Sequence, residues 1–521
     1  MGKIARYLNQ LTTGDVFDAP EVLEAYSTDR SVLKIRPKLV ALPESTEDIR
    51  KLMRFSSQLL SKGIKLPVTV RGSGLDEMGA DLGNGLIIST EKLNKLLEAD
   101  KRERLVRVQA GITLRELNTA LSVNGLTIPI EGHDNETIGG LISNCPADGF
   151  SGKYGGIFNF VERMEVVLPS GDILQTGAVS RRTAMRRANN KTNEGRIYSK
   201  ILQLMKKEEA LLKVIKASPR TLAGYRNITK LTDKSSFDLL PLFFGAEGTL
   251  GVITEVILRA VPVPKDLKRV AATFDDYQTA EKFLGLARSL KPIMFDIYDL
   301  KAVKLTEENG KKANEITKKM AGGFVVFMKF DGKDKKRIRK LAHLGKKLPK
   351  NVKIITETAK TAGVLDDLEN TLTSFVNRNK MGDTTPLMIG FSLPTKNVAG
   401  LANDLKILEK SLKLDLVLYG SYAANNYNLT PRFNIADKEF GKEVINFLRV
   451  STYVINRQGG VVAGALPEGR VKALVTDGEM TEAEKTLYAA IKNAFDHQGI
   501  LNPGVKTDVD ARFTVRHFRS L

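Results

Sequence analysis

FFGAEGTLGVITEVILRAVPVP, residues 243–264, decides how the chain reads. Gly245, Gly248 and Gly251 bracket Glu247 and lead into an apolar strand over residues 252–258, and Pro262 and Pro264 then mark a boundary. Small residues before a buried strand let the backbone approach a ligand closely. Glu247 among them reads either as a structural cap or as a hydrogen-bond partner for a ligand hydroxyl.

Two further glycine segments precede it. RGSGLDEMG, residues 71–79, is a loop whose successive N–H groups suit a pyrophosphate, with Arg71 adding charge. It is not a P-loop, because no Gly-Lys-Ser/Thr follows, and it is not the dinucleotide fingerprint. TIGG, residues 137–140, reads as chain passing flat against a ring or ribose, or as a sharp corner in a buried strand.

Length and composition bound the answer. The 521 residues, 42% hydrophobic, imply two or three compact units. Cys145 is the single cysteine, and the four histidines (His133, His343, His497, His517) have no metal spacing. Redox chemistry therefore needs a bound organic cofactor or a partner. The net charge of +20 attracts acidic substrates and polyanions without naming one. The first residues carry no signal-peptide apolar region and no run is long enough to span a bilayer, so a cytoplasmic location is expected. A peripheral hold on anionic lipid or on nucleic acid would also account for the charge.

Strand then helix is expected over residues 39–62, opened by a Ser45/Asp48 capping box and stopped by Gly63. Strands follow at 67–70, 85–89 and 105–110, and a Thr113/Glu116 box opens a helix that closes at Gly125. Residues 161–168 and 172–174 flank Pro-Ser-Gly as a hairpin. The stretch 181–220 is dense in Lys and Arg, and its amphipathic part, 201–215, reads as a surface helix packed on the domain. Beyond Pro264, strand, helix and strand recur at 269–298, 323–357 and 387–420, which predicts an α+β second domain with helices on a sheet. Helices are expected around 440–458 and 482–497.

Taken in order, AYSTDRS (25–31), RPKLVALPESTEDI (36–49), VRVQAGITLREL, TIGG, SGKYG, VERMEVVLPSGDIL, FFGAEGTLGVITEVILRAVPVP and ILNPGVK (500–506) resemble the vanillyl-alcohol oxidase / p-cresol methylhydroxylase (PCMH-type) flavoproteins. The branch is that of the glycolate oxidase D subunit and D-lactate dehydrogenases. The resemblance implies an α+β fold, with a two-subdomain FAD-binding domain of PCMH type followed by an α+β substrate (cap) domain. The expected divisions are 1–31, an N-terminal segment; 32–264, the FAD domain with a basic insertion at 181–220; 265–470, the cap; and 471–521, a helix and tail returning to the FAD domain. It implies that Arg71, Gly72, Ser73, Gly74 and Gly79 wrap the pyrophosphate, and that Gly132, Thr137, Gly139, Gly140 and Ser143 line the cofactor. Glu247, Gly248, Gly251 and Ile253 would hold the adenosine or flavin side, with Asn502 returning from the C-terminus. No histidine lies between Arg71 and Gly79, so the FAD is expected to be noncovalent.

Departures from the pattern matter. Leu75-Asp76-Glu77 replaces small hydroxyl residues, and carboxylates there would repel a pyrophosphate unless they point outward. Cys145 stands where relatives often carry Asn, and Ala147 and Asp148 where they often carry Gly or Ser; Cys145 reads as a small buried residue before a flavin thioether. The family's metal motif GHxGDGNxH appears as residues 420–428 with Ser421, Ala424 and Asn428 in place of its ligands. A second motif, GGxxxGEHGxG, appears at 459–469 without its histidine. No metal is expected. Asn426, Asn428, Arg432, Glu468 and Arg470 occupy or flank these motifs and are the candidates to orient a substrate, although each alone reads as an ordinary interface residue.

The leading expectation is an FAD-dependent dehydrogenase acting on an alcohol or hydroxyacid CH–OH, with a small, anionic substrate suited to the charge and a separate quinone, oxygen or redox-protein acceptor. A flavin-binding protein without turnover and a basic nucleic-acid- or lipid-binding protein on the same fold are the alternatives.

Overall fold

The apolar run after Gly251 becomes the central strand of an antiparallel sheet. In this computed structural model, which describes residues 2–519 apart from 132, 147–149, 218–223, 234, 265, 309–314, 319, 321, 346–351, 377–383, 435 and 463–466, Val252–Arg259 pairs with Leu105–Gln109 on one side and Val161–Val167 on the other. Leu96–Asp100 and Ile173–Gln175 complete the five strands, the latter closing the expected hairpin. Leu96–Asp100 is exposed throughout and has no apolar alternation, which is why its sequence gives no strand signal.

A second sheet of four strands orders Asp15–Phe17, Leu39–Leu42, Leu86–Ser89 and Val68–Arg71, the last two ladders parallel. Ser45 caps the helix Thr46–Ser61 as expected, accepting from the Asp48 amide. The other half of the box is absent: Asp48 instead accepts from the Thr13 and Glu44 amides at 2.8 and 3.0 Å, which tethers the N-terminal segment. The Thr113/Glu116 box is complete. The outer edge of Val68–Arg71 is taken by the C-terminal chain, where the Val68 amide donates to Ile500 and the Asn502 amide donates back to Val68, both at 2.8 Å.

The basic insertion forms three helices, Arg181–Ala188, Asn193–Lys207 and Glu209–Ala217, so the amphipathic stretch breaks at Glu208 rather than running on. Ile197, Tyr198, Ile201 and Ile215 bury into the core of the first domain beside Leu487 and Ile491 of the helix Glu482–Phe495.

The three strand–helix–strand copies all form and join one eight-stranded sheet. Lys268–Phe274 and Met294–Asp299 flank Phe324–Phe330; Phe324–Phe330 and Lys353–Thr356 flank Lys268–Phe274; Ile389–Ser392 and Leu416–Ser421 flank Asn426–Asn434. Each copy thus leaves a gap one strand wide that another strand fills, the interleaved split βαβ arrangement. Helices Tyr277–Ser289, Val398–Leu412 and Phe440–Arg457 cover one face of this sheet. Leu300–Glu308 and Ala362–Val376 cover part of the other, whose remainder looks onto Phe150 and Tyr154 of the first domain.

Candidate functional site

The three glycine segments meet in a groove between the two sheets of the first domain. Gly72, Ser73, Gly74, Thr137, Gly139, Gly140, Ser143, Glu247, Gly248, Gly251 and Ile253 all line it. Their glycines are of two kinds. A Cβ on Gly72 would strike Thr137, one on Gly74 the Arg71 guanidinium, and one on Gly251 Val166, so these three permit close packing. A Cβ on Gly140 would meet only its own Thr137 Oγ1, at 3.0 Å, and one on Gly248 only Val70, from 3.6 Å. Both residues line the groove and meet little other protein there, and Gly248 also sits at φ +69°.

Thr137 is not the corner of a strand. It caps the helix Ile138–Asn144, its side chain accepting from the Gly140 amide, and the Gly139 amide donates to Ala110 at 2.7 Å. The Asp76 carboxylate turns back on its own loop, accepting from the Met78 and Ala80 amides at 2.8 and 2.9 Å and from Asn144 Nδ2 at 3.0 Å. Burial, then the charges of Asp81 and Glu247, push Asp76 up to about 7. Its oxygens are thereby turned to amides and its charge is reduced near neutral pH, which lessens the repulsion anticipated for a diphosphate.

Three residues expected at the cofactor, Arg71, Gly79 and Asn502, support the groove from behind its lining, and Glu247 braces it while lining it. Arg71 donates to the Thr28 carbonyl at 2.9 Å and packs behind Gly74, so its guanidinium props the loop. Gly79 lies against Leu33 at φ +77°, a turn that L side chains rarely adopt. Asn502 donates to the Ala80 and Glu247 carbonyls at 2.7 and 2.8 Å. Glu247 lines the groove and also ties it to the C-terminal chain: its carboxylate accepts from the Glu468 and Gly469 amides at 3.0 and 2.7 Å and pairs with Lys506 at 2.8 Å. Gly132 lies outside the described residues.

Leu75, Glu136 and Asn144 line this groove and also a cavity of about 530 Å³ between the eight-stranded sheet and the first domain. Asn426 and Asn428 line the cavity, as do Gly420, Ser421 and Ala424 of the altered motif. Arg432 is on the same strand beyond the cavity, paired in register with Pro386. Glu468 and Arg470 are not substrate-facing either. Glu468 pairs with Lys506 at 3.0 Å, and Arg470 donates to the Leu82 and Pro503 carbonyls and to Asn502, within 3.1 Å. Burial lowers Arg470 to about 10, which leaves it cationic in this bonded state. In sequence these two flank a motif; in space the motif's end binds the C-terminal chain to the groove.

Several cavity residues escaped the sequence reading. Arg30 and Lys230 bring positive charge to the wall, and Glu77 faces in, pushed up to about 7 by burial against the pull of Arg30. His133 bonds Glu136 at 2.8 Å. Lys329 joins Glu131 to Glu369, at 2.5 and 2.7 Å, closing one side. Asp296 also lines the cavity; the visible signal was an acid inside the apolar strand MFDIYD. Cys145 lines it as well, half-buried at φ +48° at the end of the helix Ile138–Asn144. No group of three His, Cys, Asp or Glu suited to a metal occurs among the described residues, and positions 463–466 of the second motif lie outside them.

A clear, glycine-walled groove opening into an interdomain cavity beneath a split-βαβ sheet defines a two-domain FAD-binding flavoprotein. The chain belongs to the FAD-linked oxidase family: residues 37–177 match the FAD binding domain and residues 263–505 the FAD linked oxidases, C-terminal domain. FAD is its cofactor. It is 27% identical to D-2-hydroxyglutarate dehydrogenase of Pantoea ananatis over 94% of this chain, but spans only 50% of that relative's length. It is 24% identical to glycolate oxidase subunit GlcD of Bacillus subtilis, covering 91% of this chain and 90% of the relative. In fold it is similar to p-cresol methylhydroxylase with substrate bound, at a TM-score of 0.70 and 15% identity, covering 97% of this chain and 96% of the other. No helix among the described residues is long and apolar enough to cross a membrane.

Proposed function

We propose that the protein is a dehydrogenase that oxidises the CH–OH group of a small hydroxyacid, using noncovalent FAD. The observation that carries this reading is the continuity of groove and cavity through Leu75, Glu136 and Asn144. The Gly72–Gly74 loop and the Gly140 and Gly248 positions hold the diphosphate tether, and the cavity receives the ring and the substrate. When bound, FAD supplies a two-electron acceptor for hydride. The protein's part is to bind, orient and shield. Arg30 and Lys230 offer charge to a substrate carboxylate, while Asn426 and Asn428 orient its polar groups. Ser421, Ala424 and Asn428 carry neither imidazole nor carboxylate, so polarisation of the hydroxyl falls to side chains rather than to a divalent metal. Relatives named for D-2-hydroxyglutarate, glycolate and D-lactate set the first substrates to try. Electrons leave to a separate acceptor, a quinone, oxygen or a redox protein. The working divisions are a FAD domain over 32–264, a cap over 265–470 and a returning tail from 471.

The test is an absorption spectrum of the purified protein followed by anaerobic titration with these three acids. Flavin bleaching by at least one is expected. A flavin-loaded protein that none of them bleaches, nor a wider set of alcohols, overturns the dehydrogenase reading in favour of flavin binding without turnover.

A further inference from the structure

The cavity floor carries an ordered set of polar groups. Asp296, Ser421 and Asn426 stand directly opposite one another across three adjacent strands, Asp296 facing Ser421 and Ser421 facing Asn426. Two residues along, Tyr298, Tyr419 and Asn428 form a second row in the same register. Side chains alternate along a strand, so both rows project from one face of the sheet, and directly opposed Cβ atoms lie about 5 Å apart. All six line the cavity. The Tyr298 and Tyr419 rings lie parallel, 6.2 Å apart, and the Tyr298 hydroxyl points to Asp296 Oδ2 at 3.4 Å. Burial, then the charge of Asp296, drives the Tyr298 phenol well above its ordinary range, so it stays a proton donor. Asn426 Oδ1 is buried with no hydrogen-bond partner among the described residues, an acceptor waiting for a donor.

Asp296 is the one carboxylate in these two rows, and it stands across from Ser421, a position where the family motif would place a histidine.

We propose that Asp296 is the proton acceptor for the substrate hydroxyl, with Ser421, Asn426 and Asn428 holding the carbinol over it. The proposal rests on the dehydrogenase reading above. In the step, the substrate O–H bond breaks and its proton passes to the Asp296 carboxylate. The carbinol C–H bond breaks with its electron pair, which leaves as hydride to the flavin, and a C=O bond forms. The substrate is oxidised by two electrons, the flavin is reduced by two, and Asp296 ends protonated. On its own sheet Asp296 neighbours Tyr298, Tyr419 and Lys329; Glu369 faces the cavity from the helix Ala362–Val376, and Glu131 and His133 from the first domain.

The test compares wild type with Asp296→Asn and Asp296→Glu, all loaded with FAD. General-base removal is expected to slow flavin reduction by about 10²- to 10⁴-fold in D296N, with the flavin spectrum and melting temperature retained and partial recovery in D296E. A second readout needs no turnover: binding of the 2-oxoacid product to the oxidised protein, by calorimetry across pH. In wild type it tightens as pH falls, because protonated Asp296 donates to the carbonyl; in D296N, with its permanent amide donor, that dependence is lost. A D296N protein that reduces its flavin at the wild-type rate, or whose product binding keeps the wild-type pH dependence, overturns the assignment while leaving the dehydrogenase reading intact. A wild-type flavin that no substrate bleaches overturns both. A D296N variant that fails to load FAD marks Asp296 as structural and likewise overturns its role, unless D296E loads FAD and shows the product-binding dependence.

Discussion

Replacing Lys506 with Met removes the cation that two buried carboxylates share. Lys506 Nζ lies 2.8 Å from Glu247 and 3.0 Å from Glu468, and the Lys506 and Glu247 side chains are 2% and 0% exposed. Burial alone would lower the lysine's pKa; the charges of Glu247 and Glu468 outweigh it and hold the pKa above the ordinary lysine range. Removing one partner of such a pair leaves an uncompensated buried charge, at a cost of about 3–5 kcal/mol. Glu247→Gln keeps the shape but only one acceptor oxygen, so one of the Glu468 and Gly469 amides is left facing an NH2 group, and Lys506 is left with Glu468; about 1–3 kcal/mol is expected. In the double variant the two losses share one cause and fall short of their sum by about 1.5 kcal/mol or more. Because Glu247 lines the groove and ties it to residues 468–469 and 506, much of this cost falls on the closed, FAD-holding state. If all of it does, the FAD dissociation constant rises roughly 10²- to 10⁴-fold in K506M. A raised lysine pKa stabilises fully below the unfolded value and fades only as pH climbs through the folded one, so the loss is constant from neutral pH up to about 10 and shrinks in acid, where protons neutralise the carboxylates. The assay is flavin fluorescence on release, followed against temperature and by dilution, for the four proteins of the cycle. Strict additivity, or a K506M protein that keeps wild-type FAD affinity and melting temperature, would refute the reasoning.

Gly140→Val should abolish FAD loading while the apoprotein's far-ultraviolet circular dichroism stays native, because the new side chain enters the groove and meets little protein; a yellow G140V protein counts against that placement of the cofactor. Glu77→Gln should raise the melting temperature increasingly as pH rises from about 4.5 to 7, with the full gain above 7: the folded protein holds this proton up to about 7 from a usual 4.5, so wild-type stability falls as pH rises through that window. The gain is bounded at about 3 kcal/mol, and equal melting curves at pH 5 and pH 8 in both proteins would contradict it. Arg470→Lys loses the fork to Leu82, Pro503 and Asn502, so it should lower stability by about 2–4 kcal/mol and weaken FAD retention, with kcat nearly unchanged in the FAD-saturated enzyme. A selective fall in kcat would instead restore Arg470 to the substrate site.

Much was legible from local chemistry. Glycine segments marked three walls of the groove, an apolar run marked the central strand, a Pro-Ser-Gly turn marked the hairpin, and the recurring strand–helix–strand pattern marked the three crossover helices. These signals are local: a residue's own backbone freedom, or its neighbours within two turns, sets them. The misreadings share a different origin. Asp48 was seen as the second half of a capping box, but Thr13, thirty-five positions away in sequence, competes for its carboxylate. Arg71 reads as an anion ligand in sequence, and one of its nitrogens is taken by the carbonyl of Thr28, forty-three positions away.

The chain's sequence, then, determined the flavoprotein class, the groove loops and the three strand–helix–strand units, because each depends on short-range pattern. Only the tertiary structure decided which polar side chains face the cavity and which are consumed as fasteners. Glu247, Glu468, Arg470 and Asn502 all bear chemistry that would suit a ligand, yet the return of residues 500–506 to the four-stranded sheet supplies each with a partner. Asp296 was unremarked until strand interleaving set it across from Ser421. Long-range pairing fixes side-chain partners, and no pattern within one segment carries that information.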